Sequence, residues 1–108
     1  HGKCCLTGTS EPDLLIASHI VPWADRTATR LDPSNGLCLS VLYDALFDKG
    51  YFTFTDTMRV ICRSDRSSLS EDIQNALAGI NGKSASIPSY TLINSSFIRY
   101  HRENIFIG

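Results

Sequence analysis

Residues 14–21 read Leu14-Leu15-Ile16-Ala17-Ser18-His19-Ile20-Val21, an apolar run that stops at Pro22. A run this short, followed directly by a proline, predicts a buried strand with His19 near its end. Polar and charged residues fill the stretch from Trp23 to Gly36, which predicts a loop. Its last five residues, Asp32-Pro33-Ser34-Asn35-Gly36, are a strong turn signal.

Leu37, Val41, Leu42, Ala45 and Leu46 fit one stripe of a helix over 37–48, and Gly50 supplies a stop. Tyr51-Phe52-Thr53-Phe54 and Arg59-Val60-Ile61-Cys62 read as two strands of a hairpin turned by Thr55-Asp56-Thr57-Met58. A second helix is expected up to Ile80, capped by Ser68 or Ser70, with Glu71 and Asp72 in its first turn. Residues 81–90 are rich in Gly, Ser and Pro and read as loop. A last helix is expected from Ile93 to Glu103, with Phe97 and Tyr100 on its buried side. The predicted order is strand, loop, helix, hairpin, helix, helix, a small α+β domain. At 108 residues, one domain over 1–108 is expected.

Composition excludes several classes. Hydrophobic residues are 43% of the chain, enough for a core and too many for wholesale disorder. Ten Lys and Arg against eleven Asp and Glu leave a formal charge of −1, which excludes a polybasic binder that holds nucleic acid through bulk charge. A local basic face stays open. No apolar stretch approaches the length of a membrane span, so no membrane partner is expected. No secretion signal opens the chain, and a cytoplasmic location is expected. The chain starts at His1-Gly2 and its only methionine is Met58, which reads as a C-terminal fragment of a longer protein with a domain upstream.

The four cysteines are Cys4, Cys5, Cys38 and Cys62. Adjacent Cys4-Cys5 is poor spacing for a disulfide, and no C-x-x-C pair is present to hold structural zinc. Free, buried thiols in a reducing compartment are expected.

His19 at a strand end, Asn35 in a turn, and Asp44 and Asp48 on one helical face are the side chains with chemistry to offer. Each has a bland reading: a hydrogen-bonded structural His, a plain turn, a solvated acidic face. Two carboxylates at i, i+4 repel, and Asp is a poor former in mid-helix, so Asp44 asks for a positive partner. Asp48, near a helix C-terminus, opposes the dipole and asks for the same. A Ser/His/Asp hydrolase is disfavoured because Ser18 and His19, adjacent on a strand, point to opposite faces, and no nucleophile-elbow motif is present.

Ala17-Ser18-His19-Ile20-Val21-Pro22-Trp23, then Asp32-Pro33-Ser34-Asn35-Gly36-Leu37-Cys38-Leu39, then Leu46-Phe47-Asp48-Lys49-Gly50, resembles the HNH endonuclease family. It is most similar to the subgroup found in bacterial restriction endonucleases. Cys5-Leu6-Thr7-Gly8 and the tail Tyr100-His101-Arg102-Glu103-Asn104-Ile105-Phe106 look like the same subgroup, so the resemblance runs from about residue 4 to 106.

The resemblance implies the ββα-metal fold, a two-stranded ribbon packed on a helix that holds one divalent ion against the scissile phosphate. It implies His19 as the general base that activates water and Asn35 as the residue that orients it. Asp44 stands where the family's final His, a metal ligand, is expected, and Ser18 where many relatives carry an acidic ligand. A carboxylate at 44 favours hard Mg²⁺ or Mn²⁺, with Asp48 bound directly or through water. Asp48 could instead brace a loop or pair with Arg30.

Arg26 and Arg30, close in sequence to His19 and Asn35, are candidate phosphate contacts, and His101 or Arg102 is another. The alternative is that the last helix packs Phe97, Tyr100 and Phe106 against the core and leaves its polar residues solvated. Trp23 reads as packing under the loop, and Arg59, Arg63 and Arg66 as a second basic cluster or a solvated edge. Residues 1–50 carry four Lys/Arg and six Asp/Glu, so weak intrinsic affinity for double-stranded DNA is expected, with specificity from an upstream recognition domain. Cutting both strands requires two active sites, which points to a homodimer on DNA. The competing expectation is a non-catalytic DNA-binding or structural module whose HNH site has degenerated through Ser18 and Asp44.

Overall fold

The computed structural model describes residues 2–22, 25, 32–88 and 92–108. The elements in chain order are β1 (Leu15–His19), β2 (Gly36–Ser40), α1 (Val41–Asp48), β3 (Phe52–Phe54), β4 (Val60–Cys62), α2 (Glu71–Ala78) and α3 (Ser95–Asn104). β1 and β2 form one antiparallel ribbon and β3 and β4 another. The architecture is α+β, a ββα unit extended by a second hairpin and two further helices.

The expected helix over 37–48 is divided. Residues 36–40 are strand β2, and α1 starts only at Val41. Leu37 and Leu39 are buried while Gly36, Cys38 and Ser40 are half-buried, the period-2 alternation of a strand. Partners across the ladder decide the matter: Ser18 pairs with Leu37 and His19 with Gly36. Tertiary pairing overrides the helical stripe that Leu37, Val41 and Leu42 suggested, and Val41 and Leu42 are in fact exposed.

α1 is eight residues long, too short to be stable by propensity alone. Its buried residues Leu46 and Phe47 anchor it. Phe47 meets Phe52 and Phe54 of β3 at ring-centroid distances of 5.4 and 5.6 Å. β3 is buried along its whole length, and α1 and α3 both pack against it. Tyr43 ties α1 to α2 by donating its hydroxyl to the Ala76 carbonyl at 2.8 Å.

The chain leaves α1 through Gly50 at φ +81°. A Cβ there would lie 2.1 Å from the Ile105 carbonyl oxygen, so the position requires glycine for space as well as for backbone angle. α3 carries Phe97, Ile98 and His101 inward, with Tyr100 only partly buried. Ser70 precedes α2 as expected, although its side chain makes no capping bond.

All four cysteines are free thiols, with Cys4, Cys5 and Cys62 buried. No described helix is long and apolar enough to cross a membrane.

Candidate active site

His19 closes β1 opposite Gly36 and is half-buried, while Ser18 beside it is 2% exposed. The alternation expected of a strand thus sends Ser18 inward and gives His19 access to solvent.

Asn35 ends the 3-10 turn Pro33–Asn35. Pro33 starts that turn, and Asp32 closes it by accepting from the Ser34 N–H at 2.9 Å and the Ser34 hydroxyl at 2.7 Å. These bonds hold the exposed Asp32 carboxyl below its ordinary pKa. Asn35 is 1% exposed, and its amide grips both backbone polar groups of Val21. Its Oδ1 accepts from the Val21 N–H at 2.7 Å, its Nδ2 donates to the Val21 carbonyl at 3.2 Å, and its own carbonyl accepts from the Ile20 N–H at 2.9 Å. A side chain thereby continues the ladder past the His19–Gly36 pair and fixes the chain immediately after His19.

Asp44 is half-buried on α1, which packs against β1 and β2. Because β2 occupies 36–40, Asp44 falls in the first helical turn, where the helix dipole favours a carboxylate. The expectation that Asp44 is a strained mid-helix acid is thus corrected. Asp48 is the last residue of α1 and exposed, so its conflict with the dipole stands. Among the described residues no hydrogen bond or ion pair engages the Asp44 carboxylate.

No three described His, Cys, Asp or Glu side chains converge into a metal-holding group. The half-buried Asp44 and, four residues on, Asp48 supply two hard oxygen donors. A divalent ion of the Mg²⁺ type uses one or two carboxylates and takes its other ligands from water and phosphate, so this donor set fits such an ion.

The arginines divide. Arg26 and Arg30, with Trp23, lie outside the described residues, as does the Arg30–Asp48 pairing. Arg102 is committed elsewhere: its Nη1 donates to the Phe54 carbonyl at 2.8 Å and its Nη2 to Asp56 at 2.9 Å. The expectation of Arg102 as a phosphate contact thus meets a guanidinium already occupied in bracing the β3–β4 turn. Arg99 also approaches Asp56, at 3.8 Å, and Arg102 is the main reason the exposed Asp56 carboxyl is held below its ordinary pKa. Arg63 lies over the Tyr51 ring, and Arg66 donates to the Arg63 carbonyl at 2.7 Å.

Two features escaped sequence reading. His101 is 1% exposed, stacked on Phe47 with ring centroids 3.8 Å apart, and bonded through both ring nitrogens. Burial, partly opposed by the Phe47 carbonyl and the charge of Asp48, lowers its pKa to about 4. The expectation of His101 near a phosphate or in solvent is corrected: the ring is core, held between Phe47 and Thr53. The second feature is a cluster of Cys4, Cys5 and Cys38 beside the ribbon, where the Cys5 N–H donates to the Cys38 carbonyl at 3.0 Å. Burial pushes the Cys4 thiol up, but hydrogen bonds from Thr7 and from backbone groups at Leu6, Ser40 and Thr7 outweigh it, and the net shift is downward. Burial and the neighbouring thiols push Cys5 to about 12.

A cavity of about 820 Å³ flanks the ribbon, lined by Leu15, Ala17, Pro33, Leu37, Ile87 and Leu92 among others. Neither His19, Asn35, Asp44 nor Asp48 lines it, and its walls are mostly apolar.

Residues 4–55 match the family described as HNH endonuclease. Among solved structures, the chain is similar to a modification-dependent TagI restriction endonuclease, with a TM-score of 0.64 and 24% sequence identity. The match covers 96% of this chain and 33% of that one, so the chain spans about a third of that enzyme's length. At this identity the likeness is one of fold. No curated protein matches the chain.

Proposed function

We propose, from the match of residues 4–55 to the HNH endonuclease family, that the chain hydrolyses phosphodiester bonds of double-stranded DNA with one divalent cation. The observation that carries this reading is the Asn35 clamp on Val21, which holds the end of the His19 strand against the ribbon that α1 packs on. His19 is accessible to solvent at that end, and Asp44 is half-buried on α1.

In this mechanism the neutral His19 imidazole takes the proton from a water in line with the scissile phosphate. Asn35 positions His19 through the backbone that follows it. Asp44, with Asp48 directly or through water, would hold Mg²⁺ or Mn²⁺. When bound, that ion supplies positive charge to the phosphate and the departing 3′ oxygen. Ser18 is buried and contributes no ligand. Arg26 and Arg30 are proposed to contact the flanking phosphates.

The solved neighbour's name gives a restriction role to a protein of which this chain spans a third. We extend that role here as a cleavage module, with target recognition supplied by a separate domain upstream and double-strand cutting by two copies on DNA.

The test is nicking of supercoiled plasmid with Mg²⁺, with Mn²⁺ and with EDTA. Ion-dependent nicking that is lost in His19→Ala supports the proposal. Inactivity with both ions, alongside retained DNA binding, would establish instead a DNA-binding module with a degenerate site. The buried Ser18, where the family resemblance led one to expect an acid, favours that second reading.

A further inference from the structure

Residues after 55 lie beyond the family match, yet α3 reaches each part of the candidate site. The Asn94 N–H donates to the Ser34 carbonyl at 3.3 Å, next to Asn35. The Tyr100 hydroxyl donates to Asp25 at 3.0 Å, in the segment that follows the His19 strand. His101 reaches α1 itself: its Nε2 lies 2.8 Å from the Phe47 carbonyl and its Nδ1 2.8 Å from the Thr53 hydroxyl.

The chemistry of the partners fixes the tautomer. A carbonyl oxygen only accepts, so Nε2 carries the proton and donates to Phe47. Nδ1 is then the lone-pair nitrogen, and the Thr53 hydroxyl donates to it. The ring is neutral, buried, and parallel to the Phe47 ring within 6°.

The carbonyl that His101 holds belongs to the last turn of α1, where carbonyls lack intrahelical partners. The Gly50 N–H also reaches it, at 3.1 Å. That turn bears Asp48, and Asp44 lies one turn earlier. An eight-residue helix has little stiffness of its own, so a bond at this end sets the orientation of both carboxylates relative to β1.

We propose that His101 is a positioning residue for the ion-holding carboxylates, acting through its Nε2–H bond to the Phe47 carbonyl. The proposal rests on the nuclease reading above. It separates orientation from packing: a side chain that fills the same space without the Nε2 donor should leave a folded protein with a misdirected site.

The experiment compares wild type with His101→Leu, His101→Gln, His101→Asn and Thr53→Val. Mn²⁺ affinity is read by calorimetry, nicking as separate kcat and KM, and folding by thermal melts. A glutamine amide nitrogen can occupy the Nε2 place and donate to Phe47, whereas an asparagine amide nitrogen occupies the Nδ1 place and cannot. The expected result is a Mn²⁺ affinity about 10-fold weaker in His101→Leu and His101→Asn, in the range seen when residues that orient ligands are removed. Their kcat should fall with KM for DNA little changed. His101→Gln should recover most of the affinity. Thr53→Val should lower the melting temperature and leave the affinity alone, because the Phe47 bond survives.

Wild-type affinity in folded His101→Leu, or an equal loss in Thr53→Val, overturns the proposal. If the leucine variant does not fold, the glutamine and asparagine pair decides, and equal affinities in those two overturn it. A wild type that binds Mn²⁺ but never nicks defeats the nuclease reading while the affinity comparison still decides the role of His101. A wild type that binds no Mn²⁺ defeats both.

Discussion

Asn35 holds residue Val21 by both of its backbone polar groups, accepting from the N–H at 2.7 Å and donating to the carbonyl at 3.2 Å. Only an amide can do both. Asn35→Ala strands two buried backbone groups, and each such loss costs about 1–3 kcal/mol. Asn35→Asp keeps the size but loses the donor and brings a buried charge. Urea denaturation should show both variants destabilised, the aspartate at least as strongly as the alanine. If Asn35→Asp melts like wild type, the clamp has no energetic weight.

His19 is only half-buried and sits at a strand end, so truncating it should leave the fold in place. His19→Ala is expected to retain the wild-type melting temperature within a few degrees. Its nicking rate should drop by about 10²–10⁴-fold, the usual worth of a general base. Near wild-type cutting by purified His19→Ala would remove His19 from the mechanism.

The two carboxylates of α1 differ in burial, and that difference predicts unequal roles. Asp44→Asn should abolish ion-dependent nicking and weaken Mn²⁺ binding more than Asp48→Asn does, because the exposed Asp48 can be replaced by water. EDTA should stop the reaction in wild type, and added Mg²⁺ or Mn²⁺ should restore it. Asp48→Asn as the more damaging change would reverse the assignment of the main ligand.

Gly50 and Gly8 both have positive φ, +81° and +77°, but only Gly50 lies against backbone. Gly8→Ala meets nothing within 4 Å and should cost the left-handed strain alone, roughly 1–2 kcal/mol. Gly50→Ala adds a Cβ 2.1 Å from the Ile105 carbonyl oxygen, which forces apart the exit of α1 and the end of α3. Thermal melts should place Gly50→Ala well below Gly8→Ala. Equal melting temperatures would mean that the tail gives way freely.

Local signals carried much of this far. The Asp32–Gly36 turn was legible because its chemistry is local: an Asx-type bond in which Asp32 accepts from Ser34, and a proline at the head of the turn. The strand through His19 was located, but not its burial: it ends at His19, before Pro22, and Leu14 and Ile16, expected to be buried, are exposed. Leu37–Ser40 was misread because Leu37, Val41 and Leu42 satisfy a helical period as well as Leu37 and Leu39 satisfy a strand period. Only the partner β1, distant in sequence, decides between them. That error moved Asp44 into mid-helix and gave it a conflict with the helix that it does not have. The partners of His101 and Arg102 were illegible for the same reason. Thr53, Phe47, Phe54 and Asp56 are 46 to 54 residues away, and no local pattern reports a contact at that separation.

His101 also sets how the fold responds to acid. Burial lowers its folded pKa to about 4, whereas imidazole in an unfolded chain titrates at about 6.5. Between these values the unfolded chain binds a proton that the folded chain refuses. The stability that depends on neutral His101 is therefore fully present above about pH 6.5 and is lost as the pH falls toward 4. The full loss is on the order of 3 kcal/mol. Urea melts of wild type should show the free energy of unfolding declining through this window. His101→Gln, which cannot take up the proton, should show a flatter profile there. A wild-type profile as flat as that of the glutamine variant would mean that His101 is protonated in the fold, and the Thr53–His101–Phe47 bonds would have to be reassigned.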